Sequence, residues 1–250
     1  MAINLDAIRK KLNNLQSQTN RTSNLWKPEP GKQQIRIVPY QFDKDNPFRE
    51  IYFHYNLGSK NYVSPVTFGK ADPVVEFAEQ LKSTGNKEDW QMARKLEPTM
   101  RTYVPVLVRG KESEGVKLWG FGKTVYQELL SFIADPDYGD ITDLQSGRDV
   151  TVEFLTKEET GKNFPQTTIR VKPNQTAATD NKDVADNILN GQKDIFDIFK
   201  EVSYDDLKEA LAEWLEPGTE SEKSITPSTS ENKSTDKVKD VDAAFDELFK

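Results

Sequence analysis

From Glu216 to Lys239 the chain is dominated by Ser, Thr, Glu and Lys and is poor in aliphatic side chains. Such a stretch buries too little apolar surface to offset the entropy of ordering it. The stretch therefore divides the chain. Any core must be built ahead of it, and the peptide behind it, Asp240–Lys250, is too short to have one. Residues 217–239 read as a flexible linker. The 250 residues are 35% hydrophobic and 30% charged, as expected for an ordinary core joined to a polar segment.

Charge follows the same division. Asn174 to Lys250 holds 9 Lys against 19 Asp and Glu, whereas Met1 to Pro173 holds 25 basic and 22 acidic residues. The net charge of −7 thus hides a mildly basic front and a strongly acidic back. That split fits a nucleic-acid or other anionic partner in front and an interaction tail behind, or simply two solvated surfaces. No apolar run reaches about 18 residues, so no transmembrane helix is expected. No signal-peptide pattern opens the chain, and the expected location is the cytoplasm. Absence of Cys excludes disulfides and thiolate metal sites, and the one His, His54, excludes a multi-histidine site. No metal or cofactor is expected.

The middle of the chain is rich in strand signals. Gln33–Val38, Ile51–Leu57, Tyr103–Arg109, Val116–Phe121, Val150–Leu155 and Thr167–Lys172 are short, branched or aromatic, and some alternate. Pro105 marks its strand as an edge or a bulge. Helices interrupt them at Val74–Lys82 behind an Asp72-Pro73 start, at Lys87–Leu96 and at Lys123–Ala134. Further helices are expected in Asp183–Lys200, around Gly191, and at Ser203–Leu215, with Ser203 as cap. No βαβ rhythm appears. The expected fold class is mainly β with inserted helices, a small barrel rather than a doubly wound sheet. Asn4–Gln18 reads as a short amphipathic helix, with Leu5, Ile8, Leu12 and Leu15 on one face and the basic Arg9, Lys10 and Lys11 beside it.

No phosphate-binding glycine loop, zinc-protease helix, paired-cysteine motif or nucleophile elbow is present, and a non-enzymatic protein is expected. What the front does carry is aromatic residues beside bases: Trp26 with Lys27, Tyr62 with Lys60, Tyr103 with Arg101, and Trp119 between Lys117 and Lys123. Arg36 and Arg109 lie in or at the end of strand segments. Cations neutralise phosphates, and flat rings stack on unpaired bases for about 1–3 kcal/mol each. A duplex offers no such faces, so the pattern favours single strands. Trp119 and Phe121 share a strand face and could equally be core, and Trp26 could plug the barrel end. Trp90 and Trp214 sit on helices and read as core. The tail Asp240–Lys250 interleaves Asp240, Asp242, Asp246 and Glu247 with Phe245, Leu248 and Phe249, a pattern suited to a short docking peptide.

In order and spacing, Leu25–Lys27, Gln34–Pro39, Asn46–Phe48, Tyr103–Val108 and Lys117–Lys123 resemble the single-stranded DNA-binding, helix-destabilising replication proteins of T-even-type phages. The resemblance covers roughly Leu25 to Pro173, and the tail's place in the chain agrees. It implies a basic arm, residues 1–24, that binds the adjacent copy through Arg9, Lys10, Lys11 and Arg21. It implies a core over residues 25–173, a five-stranded OB-fold barrel with a helical insertion at about 72–97, followed by a helical extension over 174–216. The strand would lie in a basic, aromatic cleft. Arg36, Lys60, Arg101, Arg109 and Lys123, with Lys27, Arg170 and Lys172, would meet phosphates there, and Tyr62, Tyr103 and Trp119 would stack. A disordered acidic tail, residues 240–250, would recruit phage replication and recombination proteins in an infected bacterial host and compete with DNA. Cooperative, sequence-independent coating of single-stranded DNA in replication, recombination and repair is the implied function. An RNA-binding regulator and a protein-interaction scaffold are the alternatives.

Two departures from the family accompany the resemblance. Its arm motif is a basic run followed by Ser or Thr; here Arg9-Lys10-Lys11 lacks the hydroxyls and Arg21-Thr22-Ser23 lacks the run. The family's best-known member holds a structural zinc, yet the matching stretch, about Tyr62 to Gln80, has neither Cys nor His. An apolar cluster including Ser64, Phe68, Val74, Val75 and Phe77 is expected there instead, in a more mobile subdomain.

Overall fold

A computed structural model describes residues 24–58, 60–215, 245, 248 and 249. The arm, with Arg9, Lys10, Lys11 and Arg21, and the tail carboxylates Asp240, Asp242, Asp246 and Glu247 lie outside the described residues. The chain separates into two compact units, one built from residues up to 50 and 101–198, the other from 51–100 and the residues after 198.

In the first unit the strands run in the order β1 (Leu25–Trp26), β6 (Lys117–Phe121), β5 (Thr99–Val108), β2 (Gly31–Ile37), β7 (Arg148–Leu155), β8 (Gln166–Gln175). β1 is parallel to β6 and the other pairs on this path are antiparallel. Alternation turns Ile35 and Ile37, Val104 and Val106, Val150 and Val152, and Ile169 and Val171 onto one face. Val125 and Leu129 of helix α3 (Lys123–Ala134) close that core. Each such buried aliphatic side chain is worth about 1.5–3 kcal/mol.

Pro105 sits in an interior strand, not an edge as expected. β5 lies between β6 and β2, and Pro105 pairs with Leu118. A strand residue's N and C=O point to the same side, and the Pro105 carbonyl accepts from Val38 N at 3.1 Å. Its missing N–H therefore faces the point where β2 ends at Ile37 and the chain leaves through Pro39, so no ladder bond is lost there.

In the second unit, β3 (Arg49–Leu57), which begins at the unit boundary, and β4 (Lys60–Val63) form a hairpin. Helices α1 (Pro73–Ser83), α2 (Lys87–Leu96) and α7 (Tyr204–Leu215) bury Val74, Phe77, Leu81, Ala93, Leu96, Leu207 and Leu211 together. Each helix start has a side-chain cap. Asp72 Oδ1 accepts from Val74 N and Val75 N, Asn86 from Glu88 N, and Ser203 from Asp206 N. The remaining α-helices with described bounds are α4 (Lys157–Thr160), α5 (Lys182–Asn190) and α6 (Ile195–Ile198), seven in all, in a mainly β, mixed-sheet protein.

The expected apolar cluster in place of a metal is half right. Val74 and Phe77 are core, and Phe68 and Val75 are half-buried. Ser64, however, belongs to a buried polar knot. Its hydroxyl donates to Asp72 Oδ2, and His54 Nε2 lies 2.9 Å from the same oxygen. The other His54 nitrogen, Nδ1, lies 2.8 Å from the Leu96 carbonyl. One carboxylate thus ties β3, the turn after β4, the start of α1 and, through His54, the end of α2. Among helical tryptophans, Trp90 is 47% exposed rather than core, with the Arg94 guanidinium 5.1 Å above its ring, while Trp214 packs on the helical core.

Candidate nucleic-acid interface

At one end of the first unit β1, β5 and β6 enclose a cavity of about 340 Å³. The parallel pairing of Leu25–Trp26 with Leu118–Trp119 brings Trp26 and Lys27 to the rim. β5 contributes Arg101 and Tyr103 from alternate positions, and β7 and β8 contribute Phe154 and Thr167. Four sequence-expected residues therefore converge here: Lys27, Arg101, Tyr103 and Trp119.

Their roles differ from one another. Trp119 is 1% exposed, against the expected stacking role. It meets Trp26 edge-on at 5.6 Å and lies 4.6 Å from the Phe121 ring, so its faces are spent in the cavity floor. Tyr103 and Trp26 are half-buried. Tyr103 lies across from Gly120, and a Cβ at Gly120 would come 2.5 Å from the Tyr103 ring. The glycine is what lets the ring lie flat on β6. Lys27 is exposed, and Arg101, half-buried, reaches the Gly120 carbonyl at 3.5 Å. Gly122, on the lining, starts α3 without a side-chain cap, so the helix's first N–H groups and positive dipole end stand beside the cavity. Lys123, exposed, is the first residue of that helix and is not on the lining.

Arg36 and Arg109 have a different role from the phosphate contacts expected of them. Arg36 is fully buried and donates to Asp149 Oδ1 at 3.0 Å and to the Thr176 carbonyl at 2.8 Å. Arg109 donates to the same carboxylate at 2.7 Å and to the Ala178 carbonyl at 2.6 Å. Burial pulls the Arg36 guanidinium below its ordinary range; Asp149 holds it up, and Arg109 opposes it. The pair clamps the segment after β8 onto the back of the sheet, and Arg36 could reach a phosphate only by abandoning that clamp.

Arg170 and Lys172 alternate with the core residues Ile169 and Val171, so they occupy the opposite face of β8 from Thr167. Lys172 donates to Gln34 Oε1 at 2.8 Å. Lys60 and Tyr62 belong to β4 of the second unit, Lys60 exposed and Tyr62 packed on the helical core. Phe245 and Phe249 of the tail also pack there, and Leu248 is exposed. Trp26, Phe154 and Thr167 are lining residues the sequence reading left out of the site. Only for Trp26 was there a local signal, a tryptophan directly before a lysine. No group of three or more His, Asp or Glu able to hold a metal occurs among the described residues, and no described helix is long and apolar enough to cross a membrane.

What this cavity offers is flat rings beside cations, and its lining carries no Asp, Glu or His. Comparison with curated proteins finds no match. A family model described as gp32 DNA binding protein like matches residues 29–215, well over half of the chain and spanning parts of both units. The chain belongs to that family of DNA-binding proteins.

Proposed function

We propose that this protein is a non-enzymatic, sequence-independent single-stranded DNA-binding protein that coats exposed strands during replication, recombination and repair. The observation that carries this reading is the cavity between β1, β5 and β6, where Trp26 and Tyr103 stand beside Lys27 and Arg101. Rings of this kind stack on any base, and the cations neutralise the backbone without reading sequence. The six-stranded unit is read as an OB-type platform, which suits that task. Lys123 and the amides at the start of α3 extend the positive rim toward phosphates. Lys60, Arg170 and Lys172 are secondary phosphate contacts in this reading, and Tyr62 a secondary stacking residue. Residues 1–24 bind the neighbouring copy through Arg9, Lys10, Lys11 and Arg21. Residues 217–239 are a linker, and residues 240–250 recruit partner proteins of a phage-infected cytoplasm.

Tryptophan fluorescence during titration with oligo-dT tests the central claim, with duplex DNA and an RNA oligomer of matched length beside it, each at two salt concentrations. Salt-sensitive quenching by the DNA single strand alone is expected, with Trp26 as the main reporter. Equal response to RNA would favour an RNA-binding regulator. No response at low salt, in full-length and tail-deleted protein alike, would refute nucleic-acid binding and leave a protein scaffold.

A further inference from the structure

The two aromatic rings of the tail are already seated on the protein. Phe245 packs edge-on against Phe77 of α1, with ring centroids 5.9 Å apart, and Phe249 meets the Tyr204 ring of α7 edge-on at 6.5 Å. Phe245 and Phe249 touch each other at 4.7 Å, as residues four apart on one helix face do. Lys208 of α7 stands 4.7 Å over the Phe249 ring, and its Nζ donates to the Phe249 carbonyl at 3.4 Å. Leu248, on the outer side, is 37% exposed. Charge does not explain the seat, because α7 carries Asp205, Asp206, Glu209 and Glu213 and would repel an acidic peptide. Among the described residues, the two rings on the helical core and Lys208 make the contacts that hold it.

We propose that the surface formed by Phe77, Tyr204 and Lys208 is a docking site for the chain's own Phe-x-x-x-Phe segment, which latches the tail onto the helical unit of the same molecule. Joined to α7 through residues 216–244, the segment reaches the site intramolecularly, at an effective concentration on the order of a millimolar. The site shares no residue with the cavity between β1, β5 and β6. It is apolar, so docking persists at high salt, where contacts between an acidic tail and a basic cleft fade. On the reading of the tail as the partner-recruiting segment, a partner that grips Phe245 and Phe249 must first displace them from this site.

The chain has no cysteine, so a nitroxide can be placed uniquely at K250C in the otherwise full-length protein. Amide NMR signals of residues 204–211 and of Phe77 should lose intensity, at low and high salt alike. The double substitution F245A/F249A should restore them, K208E should restore them in part, and an added peptide of residues 240–250 should relieve the loss by competition. Loss of signal at Trp26, Arg101 and Tyr103 in place of 204–211 would overturn the proposal, as would loss that vanishes with salt. Equal loss when nitroxide-labelled and isotope-enriched molecules are separate chains, mixed, would overturn the intramolecular latch in favour of exchange between copies. None of these readouts depends on DNA, so the latch and the oligo-dT titration can fail independently.

Discussion

Asp149→Ala removes the acceptor that Arg36 and Arg109 share. Arg36 is fully buried and keeps only its bonds to Thr176 and the distant Asp143 carbonyl, so its charge loses its counter-ion in a dry site. Breaking a buried pair this way costs about 3–5 kcal/mol. The Arg109 side chain is 20% exposed and can turn partly to water, so its share adds little and the total falls near the lower end, about 3 kcal/mol. In a chain of this size each kcal/mol lowers Tm by roughly 2–4 °C, which predicts a drop of about 6–12 °C. Urea unfolding and calorimetry of the variant would read it. The paired change Arg36→Met with Asp149→Leu should recover much of the loss, because apolar replacement of a buried ion pair is often neutral or better. A loss under about 1 kcal/mol would refute the structural assignment of Arg36. So would weakened oligo-dT binding by Asp149→Ala at a temperature where it is fully folded, since the arginines would then be serving the strand.

Tyr103→Ala and Trp26→Ala should each weaken oligo-dT binding by about 1–3 kcal/mol with little change in unfolding, whereas Trp119→Ala should cost about 3–5 kcal/mol of stability; the reverse pattern in paired binding and urea titrations would invert the assignment. Gly120→Ala drives a methyl into the Tyr103 ring, which stands 2.5 Å from that Cβ position, and should cost about 1–3 kcal/mol through overpacking and also weaken oligo-dT binding by displacing the ring; unchanged affinity would show that Tyr103 does not stack. Lys27→Ala and Arg101→Ala should each flatten the plot of log affinity against log salt by about 0.7 for a single strand, measured by oligo-dT titration across salt, and an unaltered slope would remove that residue from the phosphate contacts. Burial raises the Asp72 carboxyl, but the His54 hydrogen bond and charge, with Ser64 and the Val75 amide, outweigh it and hold the group below the ordinary range. Its folded pKa lies under its unfolded one, so its stabilisation is present above about pH 3.9 and is lost as pH falls through the folded value. Ser64→Ala should therefore move the acid-unfolding midpoint of the helices upward in far-UV circular dichroism, and an unmoved midpoint would remove Ser64 from the carboxylate's support.

The elements were legible where local chemistry decides them. Asp72-Pro73 announces α1, the run before Pro98 ends α2, and the period-two stretches became β2, β3, β5, β6, β7 and β8. What escaped were facts set by distant partners. Arg36 between Ile35 and Ile37 reads as the wet face of a strand, and only the return of residues 176–178 over that face makes it dry. Trp119 looks as available as Tyr103 until β1 lays Trp26 against it. β1 itself is two residues long and exists only because β6 accepts it, so Trp26 could not be placed from its neighbours. The knot around Asp72 joins residues that no short motif links, and it occupies ground where only apolar replacements were expected.

The threading of the chain has a consequence for its synthesis. Residues 51–100 interrupt the first unit, and the second is completed only by α7 after residue 198. An emerging polypeptide therefore cannot finish one unit before starting the other: β2 must wait for β5 and β7, and α1 for α7. Pairings this far apart fold slowly and leave strand edges and apolar helix faces uncovered meanwhile. The interval on the ribosome between β2 and α7 is therefore the period of greatest exposure to aggregation, and truncated products ending before residue 198 should be the species that chaperones capture.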